Sequence, residues 1–203
     1  MFDLLAGLAL GYLIGSFPSA AIIARLAGRD IFGVGSGNMG AMNTARNVGW
    51  LPGAVVLLLD VAKGALAVSL TIALVAATGW ESASRAAMPM AAGVSAVAGH
   101  AWSVFAGFRG GKALATTLGV ALPVYPLGGL YTLLLLVALV LLTRRVTLSS
   151  LLTMGLYPFV VLAVLSRGGV DQDRIFAILT SVLLIAAIVV YKHLGSAHEA
   201  AAG

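Results

Sequence analysis

"GVGSGNMGAMNTAR", residues 33–46, places Gly35, Gly37 and Gly40 in G-x-G-x-x-G spacing. Its reading decides between a soluble nucleotide-binding α/β domain and a different kind of protein. A dinucleotide fingerprint needs a β-strand before it, a helix opening within the glycines, and an acidic residue about 20 positions later on a second strand. Here an apolar run and "GRDIF" come before the motif, and "PGAVVLLLD" (52–60) stands where the second strand belongs. The nucleotide reading fails on this context.

Outward from the motif, the composition explains that context. Of 203 residues, 61% are hydrophobic and 9% charged, where a soluble domain carries roughly 25% charged residues. Apolar runs of about 18 to 25 residues recur along the chain, each long enough to cross the hydrocarbon core as a helix. The expected fold is therefore an all-α integral membrane protein, a single polytopic domain over residues 1–203. The absence of cysteine excludes disulfides, thiolate metal sites and a thioester acyl-enzyme. The net charge of +5 resides in short loops beside apolar spans, which reads as topology and not as a nucleic-acid surface.

The apolar runs predict spans at 3–25, 52–78, 87–107, 113–124, 126–143, 149–166 and 174–191, about seven crossings. The fourth is short, since about 12 residues reach only some 18 Å. Asp3 at the start of the first run, with Arg25 and Arg29 after it, argues for a retained first helix with its N-terminus outside. Arg25, Arg29, Arg46, Arg109, Lys112, Arg144, Arg145 and Lys192 then fall on the cytoplasmic side, with the C-terminus. Arg85, Arg167 and Arg174 fall outside with Asp3, Glu81, Asp171 and Asp173, as the positive-inside rule requires. The tail "SAHEAAAG" reads as a frayed end.

Stripped of the nucleotide reading, the glycine motif keeps its local physics. Glycines let successive N–H groups converge on an anion, Ser36, Asn38, Asn43 and Thr44 add neutral hydrogen-bonding groups, and Arg46 can close the nest on a phosphate. A tight re-entrant turn is the alternative. A second cluster, "GHAWSVFAGFRGGKALAT" (99–116), sets His100 before a loop of Arg109, Gly110, Gly111 and Lys112 that resembles another anion clamp. Its spacing is one residue short of a Walker loop, and Ala113 follows the lysine. His100 also fits a plain hydrogen bond to a carbonyl, and Arg109 with Lys112 fit a topological role. Asp60 and Lys63, at i and i+3, share a helical face and should pair, since an unpaired charge at that depth is costly; a proton or ion path is the alternative. Thr147 and Ser150 are placed to donate hydrogen bonds beside Arg144 and Arg145, and His193 can reach the same face.

At these residues the chain resembles the PlsY family of bacterial membrane glycerol-3-phosphate acyltransferases. "GSFPSA" (15–20), "GSGNMGAMNTAR" (35–46), "LDVAKG" (59–64) and "GHAWSVFAGFRGGKALAT" carry the likeness, in order and across most of the chain. Met42, Ser103, Arg109, Ala113 and Arg145 depart from the family pattern, and "KHLGSAHE" matches only the histidine of its terminal motif, at His193. The resemblance implies transfer of a fatty acyl group from acyl phosphate to glycerol 3-phosphate at the cytoplasmic face of the bacterial cell membrane. No cofactor and no metal are implied, and the partners are the two substrates and membrane lipid, with a monomer expected. On this reading Ser36, Arg46, His100 and Lys112 are catalytic. Arg46 and Lys112 hold phosphates, and Ser36, Asn38 and Asn43 orient the reacting groups. His100 acts as general acid/base or orients Ser36. Gly35, Gly37, Gly40, Gly110, Gly111, Arg109, Thr147, Ser150 and His193 complete the binding set.

Direct transfer is expected in place of a Ser36 acyl-enzyme. Acyltransferases with histidine and aspartate separated by four residues are excluded, because Phe105 occupies that position. The rivals are a transporter of organic phosphates, suggested by Asp60, Lys63 and the broken helices, and a non-catalytic binder of the same compounds.

Overall fold

The computed structural model describes residues 2–78 and 82–202, with side chains described over 4–78 and 87–195. Glu81 lies outside the described residues, as do the side chains of Asp3, Arg85 and the tail from 196. Among the described residues the architecture is helical: α1 (Phe2–Gly15), α2 (Ser19–Leu26), α3 (Ala41–Asn47), α4 (Trp50–Thr78), α5 (Ser82–Ala101), α6 (Leu114–Ala121), α7 (Pro126–Thr143), α8 (Val146–Leu165) and α9 (Gln172–Ala202).

Five stretches among the described residues are long and apolar enough to cross a membrane: 4–26, 50–78, 126–143, 146–165 and 172–195. The expected first span is broken. The chain leaves the helix at Ser16–Pro18, because Pro18 has no N–H to continue the ladder, and restarts at Ser19. α5 has the length of a span but is rich in alanine, glycine and serine, and it packs among α1, α4 and α9. α6 has eight residues, about 12 Å, so it is shorter than its expected span. α9 continues past the expected end at residue 191, through a stretch with no proline.

Small residues let these helices approach closely, as packing within lipid requires. Gly7, Gly11 and Gly15 recur every fourth residue on α1 and seat it on α5, where a Cβ would strike Met88, Ala92 and Ala96 in turn. Gly64 of α4 and Gly119 of α6 lie against each other's helix backbones at Thr116 and Val61. The main core lies between α5, α6, α8 and α9 and contains the Tyr125–Tyr157 hydroxyl pair, 2.7 Å apart. A smaller cluster of Ala20, Ala24, Ile31, Met39 and Val56 supports the glycine-rich loop from beneath.

Candidate active site

Asn43, buried on α3, organises the first loop. Its Nδ2 donates to the carbonyls of Ile31 (3.3 Å), Val34 (3.1 Å) and Asn38 (3.0 Å). Its Oδ1 accepts from the Ser36 N–H (3.2 Å) and from Asn47 Nδ2 (2.9 Å). Gly35 turns beside this cluster at φ +55, where a Cβ would strike the Asn43 and Asn47 side chains. Glycine is required there by space as well as by conformation.

The amides of this loop differ from the expected nest. Ser36 N–H is bound to Asn43, Gly37 N–H to the Val34 carbonyl (3.1 Å), Gly40 N–H to Asn38 (3.0 Å) and Met39 N–H to Gly110 (3.4 Å). These four amides are already paired, three within residues 34–43 and Met39 across to the second loop, so they do not converge on an anion as a nest would. The loop therefore presents side chains: Ser36 Oγ accepts from Asn38 Nδ2 at 3.3 Å, and Arg46 sits in the last turn of α3.

The second loop is fastened to the first through Met39–Gly110. Gly111 N–H donates to the His100 carbonyl at 3.1 Å, and a Cβ on Gly111 would collide with His100 Nε2 and the Met39 carbonyl. Lys112 follows, and α6 opens immediately after it with no side-chain cap on its first-turn amides. A helix start beside a lysine is a favourable place for an anion. Lys112 is half-buried, and burial lowers its pKa below the ordinary lysine value of 10.5.

Both loops face one cleft of about 900 Å³. Gly35, Ser36, Asn38, Gly40, Asn43, Arg46, His100, Lys112, Thr147, Ser150 and His193 line it, so the structure brings together eleven of the residues singled out in the sequence. Gly37, Gly110 and Gly111 are not among its lining residues. Arg109 points elsewhere: its guanidinium lies 3.9 Å over the Phe32 ring, and its Nε donates to the Ala106 carbonyl at 3.4 Å. His193 Nδ1–H donates to the Val189 carbonyl at 2.8 Å, which leaves the acceptor of a neutral ring at Nε2. Ser150 Oγ–H is bound to the Val146 carbonyl at 2.8 Å. The opposite wall is apolar, formed by Leu136, Val137, Val140 and Leu141 of α7 with Leu114 of α6.

Two further polar residues line the cleft, Asn47 and Asp60. The first carries a weak sequence signal, four residues after Asn43 on one helical face. The second was legible as a charged pair but not as a cleft residue. Asp60 forms the expected ion pair with Lys63 at 2.9 Å, accepts a short hydrogen bond from Ser19 Oγ, and lies 3.5 Å from His100 Nδ1. The departures from the family pattern also have places. Ser103 donates from Oγ to the Ser16 carbonyl, a bond proline cannot make, and Ala113 adopts the left-handed region at φ +62.

A broken first helix, two interlocked loops and a cleft with cations at one end and aliphatic side chains along one wall define a multi-pass membrane protein built to hold an anionic, lipid-like molecule. Comparison with known proteins gives the family. The glycerol-3-phosphate acyltransferase family model matches residues 5–203, and the chain belongs to this family. It is 41% identical over 199 residues to glycerol-3-phosphate acyltransferase 1 of Deinococcus radiodurans, covering 98% of this chain and 92% of that protein. It is 37% identical over 185 residues to the enzyme of Geobacter sulfurreducens, covering 91% and 87%. Among solved structures it matches PlsY, an integral membrane glycerol 3-phosphate acyltransferase. The glycerol 3-phosphate form aligns with a TM-score of 0.76 at 31% identity, covering 98% of this chain and 92% of that one. The lysophosphatidic acid form aligns with the same score and coverage at 30% identity.

Proposed function

We propose that this chain transfers a fatty acyl group from acyl phosphate to the first hydroxyl of glycerol 3-phosphate, giving lysophosphatidate and inorganic phosphate. The observation that carries the reading is the joining, in one cleft, of Arg46, Lys112 and Ser36 with the aliphatic wall of α7. Both substrates are anions and one has a long apolar tail, so the site needs fixed positive charge beside an apolar groove. The substrate hydroxyl oxygen attacks the acyl carbon and the bond from that carbon to the phosphate oxygen breaks. The leaving phosphate takes the electron pair and accepts the hydroxyl proton.

Arg46 and Lys112 hold the phosphates, and Ser36 and Asn38 orient the reacting groups, with Asn43 fixing the loop that carries them. His100 is assigned to proton transfer or to orientation, and Thr147, Ser150 and His193 to the far side of the same cleft. Seven crossings, with the N-terminus outside and the cleft on the cytoplasmic side of the bacterial cell membrane, complete the proposal, together with a monomeric single domain. The charge distribution of the loops supports that topology.

The test is phosphate release and lysophosphatidate formation by purified protein supplied with palmitoyl phosphate, with and without glycerol 3-phosphate, against Ser36→Ala. Product that depends on both substrates is expected. A folded protein that binds either substrate and makes no product would reject the enzyme in favour of transport or binding.

A further inference from the structure

The cleft contains one acidic group whose partners converge from three separate parts of the fold. Asp60 is 1% exposed, and every partner described for it meets the same oxygen, Oδ1: Lys63 Nζ, Ser19 Oγ and His100 Nδ1. Lys63 also donates to the Phe17 carbonyl at 3.0 Å, which accepts the Ser19 N–H as well, at the break between α1 and α2. A buried ion pair adds little net stability, because desolvating two charges offsets most of their attraction. What it does supply is a fixed position for one carboxylate.

That position is beside an imidazole wedged between the loops. His100 is 2% exposed; its Nδ1 makes no hydrogen bond among the described residues, and Asp60 Oδ1 at 3.5 Å is the acceptor that faces it. On its other side Nε2 abuts Gly111, where only glycine leaves room for the ring. The same Gly111 binds the His100 carbonyl, its neighbour Gly110 binds Met39 of the first loop, and Lys112 comes next. The imidazole thus abuts the segment that carries the lysine of the cleft.

We infer that Asp60, clamped by Lys63 and Ser19, is a positioning residue that acts through His100 to set the place of the Gly110–Lys112 loop. This rests on the proposed acyl transfer at the same cleft and gives His100 a mechanical role within it. The charged groups that act on the ring are Asp60 and Lys63 of α4 and Lys192 of α9.

Two double variants of the full-length protein separate positioning from bulk stability. Asp60→Asn with Lys63→Met and Asp60→Leu with Lys63→Met both remove the ion pair without burying a lone charge, but only the first keeps an oxygen opposite Nδ1. The asparagine pair should stay within roughly tenfold of the parent in kcat. The leucine pair should fall by about 10²-fold, the scale of a small misplacement at a reacting centre. His100→Gln added to the leucine pair should cost little more, since both act along one path, and His100→Gln alone should leave the shape of the pH–rate profile unchanged. Hydrogen exchange over residues 107–113 is the readout that needs no turnover. It should rise in the leucine pair and not in the asparagine pair, with overall helicity unchanged in both. Equal behaviour of the two double variants in exchange would overturn the inference. So would loss of one limb of the pH profile in His100→Gln. Absence of turnover in the parent, with the exchange difference intact, would reject the acyl-transfer reading and leave the positioning relationship standing.

Discussion

The side-chain oxygen of Asn43 accepts the backbone N–H of Ser36 at 3.2 Å, while its amide nitrogen donates to three carbonyls of the same loop. Ser36 is thus held by a residue that donates and accepts together. Asn43→Asp keeps the size and the acceptor but removes the amide NH2 that makes all three of those bonds, and it sets a carboxylate against carbonyl oxygens. We expect turnover to fall by about 10²-fold or more while the helices remain, because the loss is confined to the loop. The check is kcat beside far-ultraviolet circular dichroism of the detergent-solubilised variant. Retained turnover would show that the Ser36 loop does not depend on this asparagine.

Arg109 offers the opposite case. It precedes the Gly-Gly-Lys stretch and reads in sequence as a phosphate ligand, yet its guanidinium stacks on Phe32 at the back of the first loop. The stacking contributes about 0.5–1 kcal/mol to holding the loops together. Arg109→Gln should leave the KM for glycerol 3-phosphate unchanged and lower the midpoint of thermal unfolding slightly. Arg46→Gln, in the cleft, should cost about 10² or more in kcat/KM. A large rise in KM for the Arg109 variant would return that residue to the binding set.

What the sequence made legible follows from what lipid demands. Long apolar runs announce α4, α7, α8 and α9, and for α7 both ends are readable, since Pro126 suits the first helical position and Arg144–Arg145 close the span. The clustering of cleft residues was legible as well, because asparagines and cations are costly in a membrane unless they serve a site. Hidden were features that depend on contacts distant in sequence. Arg109 finds Phe32 only when the loops meet, and which amides remain for a ligand depends on Asn43 having already taken its partners. The break of the first helix is written in Pro18, but its use, offering the Phe17 carbonyl to Lys63 as well as to the Ser19 N–H, requires α4 to be in place.

Ala113 tests the strain in the second loop. It is 2% exposed and sits at φ +62, a conformation that costs an L-residue roughly 1–2 kcal/mol. Ala113→Gly relieves that strain but gives up a buried methyl group worth about 0.8 kcal/mol. Its stability should therefore lie within about 1 kcal/mol of the parent, with turnover preserved. Ala113→Val adds a β-branched side chain in an unfavourable conformation at a packed position. It should destabilise by about 1–3 kcal/mol and disturb the neighbouring Lys112. Thermal unfolding of both variants decides the matter: a valine variant as stable as the parent would mean that the loop relaxes out of the left-handed region.

Lys112 gives the pH dependence. Burial lowers its pKa below the ordinary value of 10.5, so the cation is lost, as pH rises, earlier than for an exposed lysine. A bound phosphate favours the charged form and restores the pKa. The alkaline fall should therefore appear in kcat/KM, which reports free enzyme, and be weaker in kcat, which reports the complex. Lys112→Arg keeps its charge at every accessible pH and should lose the alkaline limb contributed by the lysine while retaining part of the turnover. Lys112→Ala should abolish turnover at all pH values without unfolding the chain. The measurement is the initial rate against pH at limiting and at saturating glycerol 3-phosphate for the three proteins. An identical alkaline fall in the arginine variant would assign that limb to another group and remove Lys112 from phosphate binding.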